Sequence, residues 1–406
     1  MFDDVIVRLR RGEIMRIFLL GNGFDLYHML PTKYENFLHT VNFLMNNYHT
    51  SMKRISDVFE NEELQRQDKL ISDSYKMYSE GYKCVCLDKE KVEKILKLAK
   101  DKYWFSYFLK SYNKDLGWID FEKEIATVIN NIERFLKTRI NRFPIYDMSI
   151  KNSSGFNLDP IFGNIVNHFD YYYERMPENY NQAIVIPEDR IEVPFGTENF
   201  FINKSKVIDQ LYNYLRDLAE MLKLYLEIFV DNATQTFVDL GLFKEKDLFH
   251  KNDQVISFNY TYTFEKVYQP TSNVIHIHGS ILNNIVLGVN SDSRDELEKI
   301  DTSFIKFKKY YQRVFLKTDK EYLEKIDALK CLSKFDNGNV LYVVGHSLDV
   351  TDKEIIKELF DISRKIKVFY HDESAVGQHI TNLVTIYGKE QFDLLRTKKN
   401  LTFEKL

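Results

Sequence analysis

Residues 16–32 read RIFLLGNGFDLYHMLPT, a short apolar run that ends in Gly-Asn-Gly and is followed by a segment closed by Leu-Pro-Thr. Ile17 to Leu20 are four consecutive apolar residues, which is short enough for a buried parallel strand. Gly21 and Gly23 then permit a tight turn with no Cβ in the way of a ligand. A helix beginning in this turn would direct its N–H groups and positive dipole end toward a bound anion. The stretch therefore predicts the first strand and phosphate-binding turn of a nucleotide-binding domain.

The dinucleotide fingerprint G-x-G-x-x-G is met only in part, because Leu26 stands at the third glycine position. An ordinary glycine turn at the end of a strand is the alternative. Three later runs favour nucleotide binding, since each is β-rich and carries polar residues at its carboxyl end: DQVISFNYTYT (253–263), NVIHIHGS (273–280) and NVLYVVGHSL (339–348). In open parallel sheets, ligands bind outside the carboxyl ends of the strands. Four such strands therefore predict one shared site.

The order of the elements predicts an α/β fold. The C-terminal third alternates strand and helix candidates, which favours a parallel sheet with helical cover. The long region between the first strand and the later ones is mostly helical in pattern, with apolar stripes at helical spacing. We expect a Rossmann-like parallel sheet interrupted by a large helical insertion. The predicted parts are the first strand and glycine turn (1–34), the insertion (35–251) and the remainder of the Rossmann-like domain (252–406).

Composition limits the classes of function. The chain has 406 residues, 44% of them hydrophobic, so a large folded core is expected, and the net charge of −4 gives no strong nucleic-acid signal. Lys306, Lys308 and Lys309 are interpreted as a solvated face. Three cysteines suit a reducing cytoplasm, and no apolar run approaches the roughly 18 residues of a membrane span. We expect a cytoplasmic protein without a membrane partner. The apolar stripes of the insertion exceed what one sheet face covers, which predicts a homo-oligomer.

Five motifs occur in one order along most of the chain: GNGFDLYHMLPTKYENF (21–37), WIDFEKEI (118–125), ISFNYTYTFE (256–265), HIHG (276–279) and GHSLDVTDKEI (345–355). In this set the chain resembles the AbiH-type bacteriophage abortive-infection proteins. The resemblance implies a role in antiviral defence, with a phage-derived trigger as a partner.

The same order is similar, more distantly, to sirtuin-type NAD-binding domains, which implies a sirtuin-like form of the sheet and NAD as substrate or ligand. The positions that match are Gly21, Gly23, Pro31, Asn259, His278, Gly279, Gly345, Ser347 and Leu348. There are departures, since Asn22 and Asp25 alter the first turn and Thr261 replaces an aspartate. No Cys-x-x-Cys pairs follow His278, so the structural zinc of protein deacylases is not expected. These departures argue against protein deacylation and leave NAD binding and NAD cleavage open.

Asn259 and His278 are the candidate catalytic residues. The amide of Asn259 both donates and accepts hydrogen bonds, so it could position a water or a ribose hydroxyl. The sirtuin resemblance implies that His278 acts as a base near the ribose, and an imidazole suits that work near neutral pH. The alternatives are an asparagine that bonds a turn and a hydrogen-bonded core histidine.

The candidate nucleotide-binding residues are Gly21, Asn22, Gly23, Asp25, Pro31, Thr32, Gly279, Gly345, His346 and Ser347. A Cβ at Gly23 is expected to crowd a pyrophosphate. An acidic group at Asp25 would repel a phosphate, so Asp25 is expected to hold a ribose or the helix N-terminus. Gly345-His346-Ser347 is similar to a nucleophile elbow, but the final glycine of that motif is missing. A serine nucleophile is therefore a minor alternative.

Three functions from different classes remain. The first is an enzyme that binds NAD or a related nucleotide and hydrolyses it to nicotinamide and ADP-ribose. The second is a non-catalytic nucleotide-binding sensor or interaction protein. The third is a nuclease, which would need a metal-binding carboxylate group that the sequence does not display, and no metal is predicted. The Asn259 and His278 pair favours the first function, whereas the loss of the aspartate at Thr261 favours the second.

Overall fold

A computed structural model gives the architecture of the chain. The residues it describes are 14–100, 104–114, 121–139, 149–151, 172–174, 183–185, 191–192, 201–202, 204–243, 248–271, 274–289, 302–333 and 338–405. The first three residues of the WIDFEKEI motif lie outside them.

The centre of the fold is a six-stranded sheet in which every paired strand is parallel. Its strands are β1 (Arg16–Leu20), β2 (Gln254–Ser257), β3 (Ile275–His276), β4 (Val340–Val344), β5 (Lys365–Tyr370) and β6 (Leu401–Lys405). They lie in the order β3-β2-β1-β4-β5-β6, which is the strand order of the doubly wound Rossmann fold. The predicted Rossmann-like parallel sheet is confirmed. The order reverses between β1 and β4, and a ligand crevice is expected there.

Strand β1 forms the middle of the sheet because its apolar residues can be buried on both faces. Phe18, Leu19 and Leu20 are fully buried. In register, Leu20 lies between Ser257 of β2 and Val344 of β4. The residues that follow these three strands therefore meet at one edge of the sheet.

Helices predominate among the described residues between β1 and β2. They are α1 (Asn22–Tyr27), α2 (Tyr34–Asn47), α3 (Ser56–Phe59), α4 (Glu62–Gln67), α5 (Lys69–Cys84), α6 (Lys89–Lys100), α7 (Trp104–Lys114), α8 (Phe121–Arg139), α9 (Lys204–Tyr225) and α10 (Asn232–Asp239). A π-helix, Leu226–Asp231, joins α9 to α10. Short strands at 149–151, 172–174 and 183–185 form one antiparallel sheet, and 191–192 pairs with 201–202.

The C-terminal part supplies the remaining helices: α11 (Thr263–Tyr268), α12 (Lys309–Leu316), α13 (Asp319–Ser333), α14 (Lys353–Ile362), α15 (Glu373–Tyr387) and α16 (Lys389–Lys398). Two 3₁₀ turns, Thr302–Phe307 and Val350–Asp352, precede α12 and α14. Strand β3 is only two residues long, which is shorter than the run around it suggested. None of the helices in the described ranges is both long and apolar enough to span a bilayer.

The helical region and the sheet have separate apolar cores. Phe37, Tyr225 and Phe229 belong to the helical core, which also takes in Leu287 and Phe307 from the segment after β3. The predicted Rossmann-like part (252–406) contains that segment, so the apolar packing crosses the predicted boundary at residue 251. The domain boundaries themselves stay predictions.

Candidate functional site

A cavity of about 360 Å³ opens at the carboxyl ends of the strands, at the point where the strand order reverses. The structure brings most of the predicted site residues to it: Gly21, Asn22, Gly23, Asp25, Thr32, Asn259, His278, Gly345, His346 and Ser347. The helical region closes the cavity with Tyr34, Glu122, Leu222 and Leu226. The site therefore lies between the sheet and the insertion.

Two predicted residues do not line this cavity. The carbonyl of Pro31 accepts a hydrogen bond of 2.8 Å from the Tyr225 hydroxyl, which ties the segment after α1 to α9. Gly279 has a φ of +76°, and a Cβ there would lie 1.9 Å from the carbonyl oxygen of Asn284. In this structure, both residues make close backbone contacts outside the cavity lining.

The glycine turn differs from the predicted phosphate cradle. The N–H of Gly21 donates to Val344 O at 3.1 Å, that of Gly23 to Gly345 O at 2.8 Å, and that of Phe24 to Gly21 O at 2.9 Å. These N–H groups are therefore used by the backbone. Helix α1 is also only six residues long, which limits its dipole. The expectation that this turn directs those N–H groups to an anion is wrong.

Gly21 and Gly23 instead allow the turn after β1 to pack closely against the turn after β4. A Cβ on Gly23 would lie 2.7 Å from the Cα of Gly345, and one on Gly21 would lie 2.6 Å from the Cα of His346. A larger residue at Gly23 would collide with protein backbone before it met a pyrophosphate. Substitution of Gly23 therefore tests the packing of the turns as well as ligand binding.

Asp25 is a buried carboxylate in the cavity wall, with 1% of its surface exposed. Its Oδ2 accepts a 2.6 Å hydrogen bond from the Thr261 hydroxyl, and its Oδ1 has no hydrogen-bond partner in the described part of the chain. Burial raises the pKa of Asp25 to about 6, against the opposing effect of the Thr261 bond. The Thr261 hydroxyl is thus the hydrogen-bond partner of Asp25.

His278 is 5% exposed, and its Nε2 lies 3.4 Å from Oδ1 of Asp352. Burial lowers the pKa of His278 to about 4, and the positive charge of Lys309 acts in the same direction. The imidazole is therefore neutral at pH 7 and has one nitrogen that can accept a hydrogen bond.

Asn259 lines the cavity and is held there through its backbone. Its N–H donates to the Ser257 hydroxyl at 3.1 Å. Its carbonyl lies 2.7 Å from Nδ1 of His276, whose Nε2 lies 2.8 Å from the Glu265 carboxylate. His276 therefore positions the Asn259 backbone.

Asp352 and Glu122 flank the buried Lys309 in a charge cluster that the sequence did not reveal. Nζ of Lys309 lies 2.6 Å from Oε1 of Glu122 and 3.5 Å from Oδ1 of Asp352. Burial alone would raise the pKa of Asp352, but Lys309 and the two imidazoles, His278 and His346, hold it well below its usual value. Lys309 is 2% exposed, so its interpretation as part of a solvated face is wrong.

His346 completes this cluster. Its Nδ1 accepts a 2.9 Å hydrogen bond from the N–H of Leu348, so the proton of the neutral ring is on Nε2. That nitrogen faces Oδ2 of Asp352 at 3.5 Å. The Asp352 carboxylate thus stands between the imidazoles of His278 and His346.

The charged side chains described around the cavity are three carboxylates, Asp25, Glu122 and Asp352, against the single ammonium of Lys309. Such a surface repels phosphate and favours a cation or a neutral group rich in hydroxyls.

Removal of the buried ammonium should be strongly destabilising. Lys309→Met would leave the partly buried carboxylates of Glu122 and Asp352 without their cation, and loss of one partner of a buried pair costs about 3–5 kcal/mol. Urea unfolding measures this loss. The matched control is Lys306→Met, which breaks a half-exposed pair with Asp209 at 2.6 Å and should cost less than about 1 kcal/mol. Equal losses in the two variants would contradict the buried cluster.

Comparison with known proteins gives one finding about the family. Comparisons with curated proteins and with solved structures returned no match. The family described as bacteriophage abortive infection AbiH matches residues 17–371, a span that includes β1, the insertion and the turn after β4. The chain belongs to the AbiH family of bacteriophage abortive-infection proteins.

Proposed function

We propose that this abortive-infection protein binds NAD, or a related nucleotide, in the cavity and hydrolyses it to nicotinamide and ADP-ribose. The excess of carboxylates that line the cavity beside Asn259 and His278 supports this activity, and one of them, Asp25, is fully buried. The nicotinamide riboside part of NAD is cationic, and its N-glycosidic bond breaks through an oxocarbenium-like state. Carboxylates placed in a desolvated cavity stabilise such positive charge.

In the proposed reaction, a water oxygen forms a bond to the anomeric carbon. The bond from that carbon to the pyridinium nitrogen breaks, and its electron pair neutralises nicotinamide as it leaves. The water proton passes to the carboxylate of Asp25, whose pKa of about 6 suits a base near neutral pH. The amide of Asn259 orients the water.

His278 takes a different part from the one expected. A pKa of about 4 makes its imidazole a weak base but leaves it neutral, so it serves as a hydrogen-bond acceptor for a ribose hydroxyl. Lys309 keeps Asp352 ionised, so that a negative charge lies beside the His278 imidazole.

Substitution of these residues tests the proposal. His278→Ala should lower nicotinamide release from NAD by about 10- to 100-fold, because the ribose hydroxyl would lose its buried acceptor, a loss of about 1–3 kcal/mol. Asn259→Ala should lower turnover more than affinity, because its contact is made mainly with the attacking water. Asn283→Ala, an exposed asparagine outside the cavity, is the control and should be unchanged. Full turnover in His278→Ala would refute the assigned role.

The second candidate function is a nucleotide-binding sensor without catalysis. It is favoured by the contacts of Lys309, which join Glu122 of the insertion to Asp352 of the cavity, so that occupancy of the cavity could move the insertion. A variant that binds NAD without cleaving it separates the two functions. If it still protects cells from phage, the sensor is supported.

A further inference from the structure

A second cavity adjoins the first across the turn formed by Gly345, His346 and Ser347. Its volume is about 470 Å³, and these three residues and Gly23 line both cavities. Its other walls come mainly from the end of β5, the start of α15 and helix α1, and Lys33 and Leu70 complete them. One elongated ligand could therefore occupy both cavities by crossing this turn.

The second cavity differs from the first in its chemistry. Tyr27, Phe369 and Tyr370 supply aromatic surface, and no carboxylate occurs among the described residues that line it. The first cavity carries three. Aromatic side chains favour a planar ring, because stacking on such surfaces contributes about 1–3 kcal/mol per base.

His379 gives the second cavity a specific hydrogen-bonding group. It lies on α15, lines the cavity and is 6% exposed. Its Nδ1 is buried and has no hydrogen-bond partner in the described ranges. Burial lowers the pKa of His379 to about 4, which a hydrogen bond to the His346 backbone opposes. The neutral ring keeps one nitrogen as an acceptor, and the unpartnered Nδ1 can serve as that acceptor.

We propose that the second cavity binds a heteroaromatic base with an exocyclic amino group, and that Nδ1 of His379 accepts a hydrogen bond from this group. This inference rests on the proposed function and refines its substrate class. The ligand is a dinucleotide with an amino-purine at one end, such as the adenine of NAD. Its reacting sugar occupies the acidic cavity, and its base occupies the aromatic one.

Calorimetric titration of the full chain with two mononucleotides tests the proposal. AMP carries the amino group, and IMP has a carbonyl in its place. The wild type should bind AMP about tenfold more tightly than IMP, since a satisfied hydrogen bond contributes about 1 kcal/mol and an opposed acceptor costs more. This comparison needs no variant, so it holds whether or not substitutions disturb folding. Equal affinities for AMP and IMP would overturn the proposal.

Two substitutions test whether His379 causes the preference for AMP over IMP. His379→Leu should remove the preference for AMP and leave the affinity for nicotinamide mononucleotide unchanged. Gln378→Ala is the control, because Gln378 lines the same cavity but donates its amide to Asn382 at 2.8 Å, and it should keep the preference. A preference for AMP that survives in His379→Leu would also overturn the proposal. If the protein prefers AMP to IMP and binds NAD but never cleaves it, the proposed base site stands and only the proposed hydrolysis fails.

Discussion

Asp25→Asn is expected to lower nicotinamide release from NAD by at least about 100-fold, because an amide cannot accept the water proton. The asparagine keeps the size of the side chain, and its amide oxygen can still accept the hydrogen bond that Thr261 gives to Asp25. In the wild type, turnover should rise as the pH passes through about 6, since the base must be ionised. A rate profile from pH 5 to 8 for both proteins measures this. An Asp25→Asn variant with wild-type turnover would exclude Asp25 as the base.

The same substitution should stabilise the fold at neutral pH. The pKa of Asp25 is raised from 3.8 to about 6 in the folded chain, so the folded state holds its proton more tightly than the unfolded state. The stability that this gives is complete below about pH 4 and is lost as the pH rises through about 6. The difference is on the order of 3 kcal/mol. Urea unfolding should be measured at pH 4 and pH 7.5. The free energy of unfolding of Asp25→Asn should increase relative to that of the wild type at the higher pH. Parallel changes in the two proteins would contradict the raised pKa.

Gly345→Ala is expected to cause the largest loss of stability among single methyl additions at the site. Gly345 has a φ of +67°, and a Cβ there would lie 2.1 Å from the backbone nitrogen of Phe24 and 2.4 Å from the carbonyl carbon of Gly23. Backbone strain and overpacking together should exceed about 3 kcal/mol. The measurement is the free energy of unfolding in urea.

The control for this prediction is Gly377→Ala within α15. A Cβ at Gly377 meets no atom within 4 Å, and alanine favours a helix over glycine by about 0.5–1 kcal/mol. Gly377→Ala should therefore be neutral or stabilising. If Gly345→Ala unfolds at the same urea concentration as the wild type, the close contact of the two turns is contradicted.

The sequence predicted that the polar residues at the strand ends would lie together, because its signals are local. Apolar runs such as Ile17 to Leu20 predict buried strands, and polar residues such as Asn259 directly follow them. In a parallel sheet, these residues must meet at the carboxyl edge. The strand order, which the structure shows to reverse between β1 and β4, then places a crevice between these two strands.

The charges of the site could not be predicted in the same way. Glu122, Lys309 and Asp352 lie far apart in sequence, and only the packing of α8, α12 and the turn before α14 brings them together. Lys309 follows two other basic residues within four positions, which is typical of a solvated surface. The hydrogen bond from the Gly23 N–H to Gly345 O also depends on a contact between turns that are distant in sequence. The glycine pattern alone therefore predicted free N–H groups for a phosphate that the structure does not provide.

The most direct measurement is the NAD content of phage-infected cells that express the wild-type chain or His278→Ala, followed together with survival of the culture. In wild-type cells alone, NAD should fall after infection, and nicotinamide and ADP-ribose should appear in equal amounts. Cells with His278→Ala should keep their NAD and lose protection. If NAD stays constant in protected wild-type cells and His278→Ala protects equally well, the proposed hydrolysis is contradicted and the sensor function takes its place.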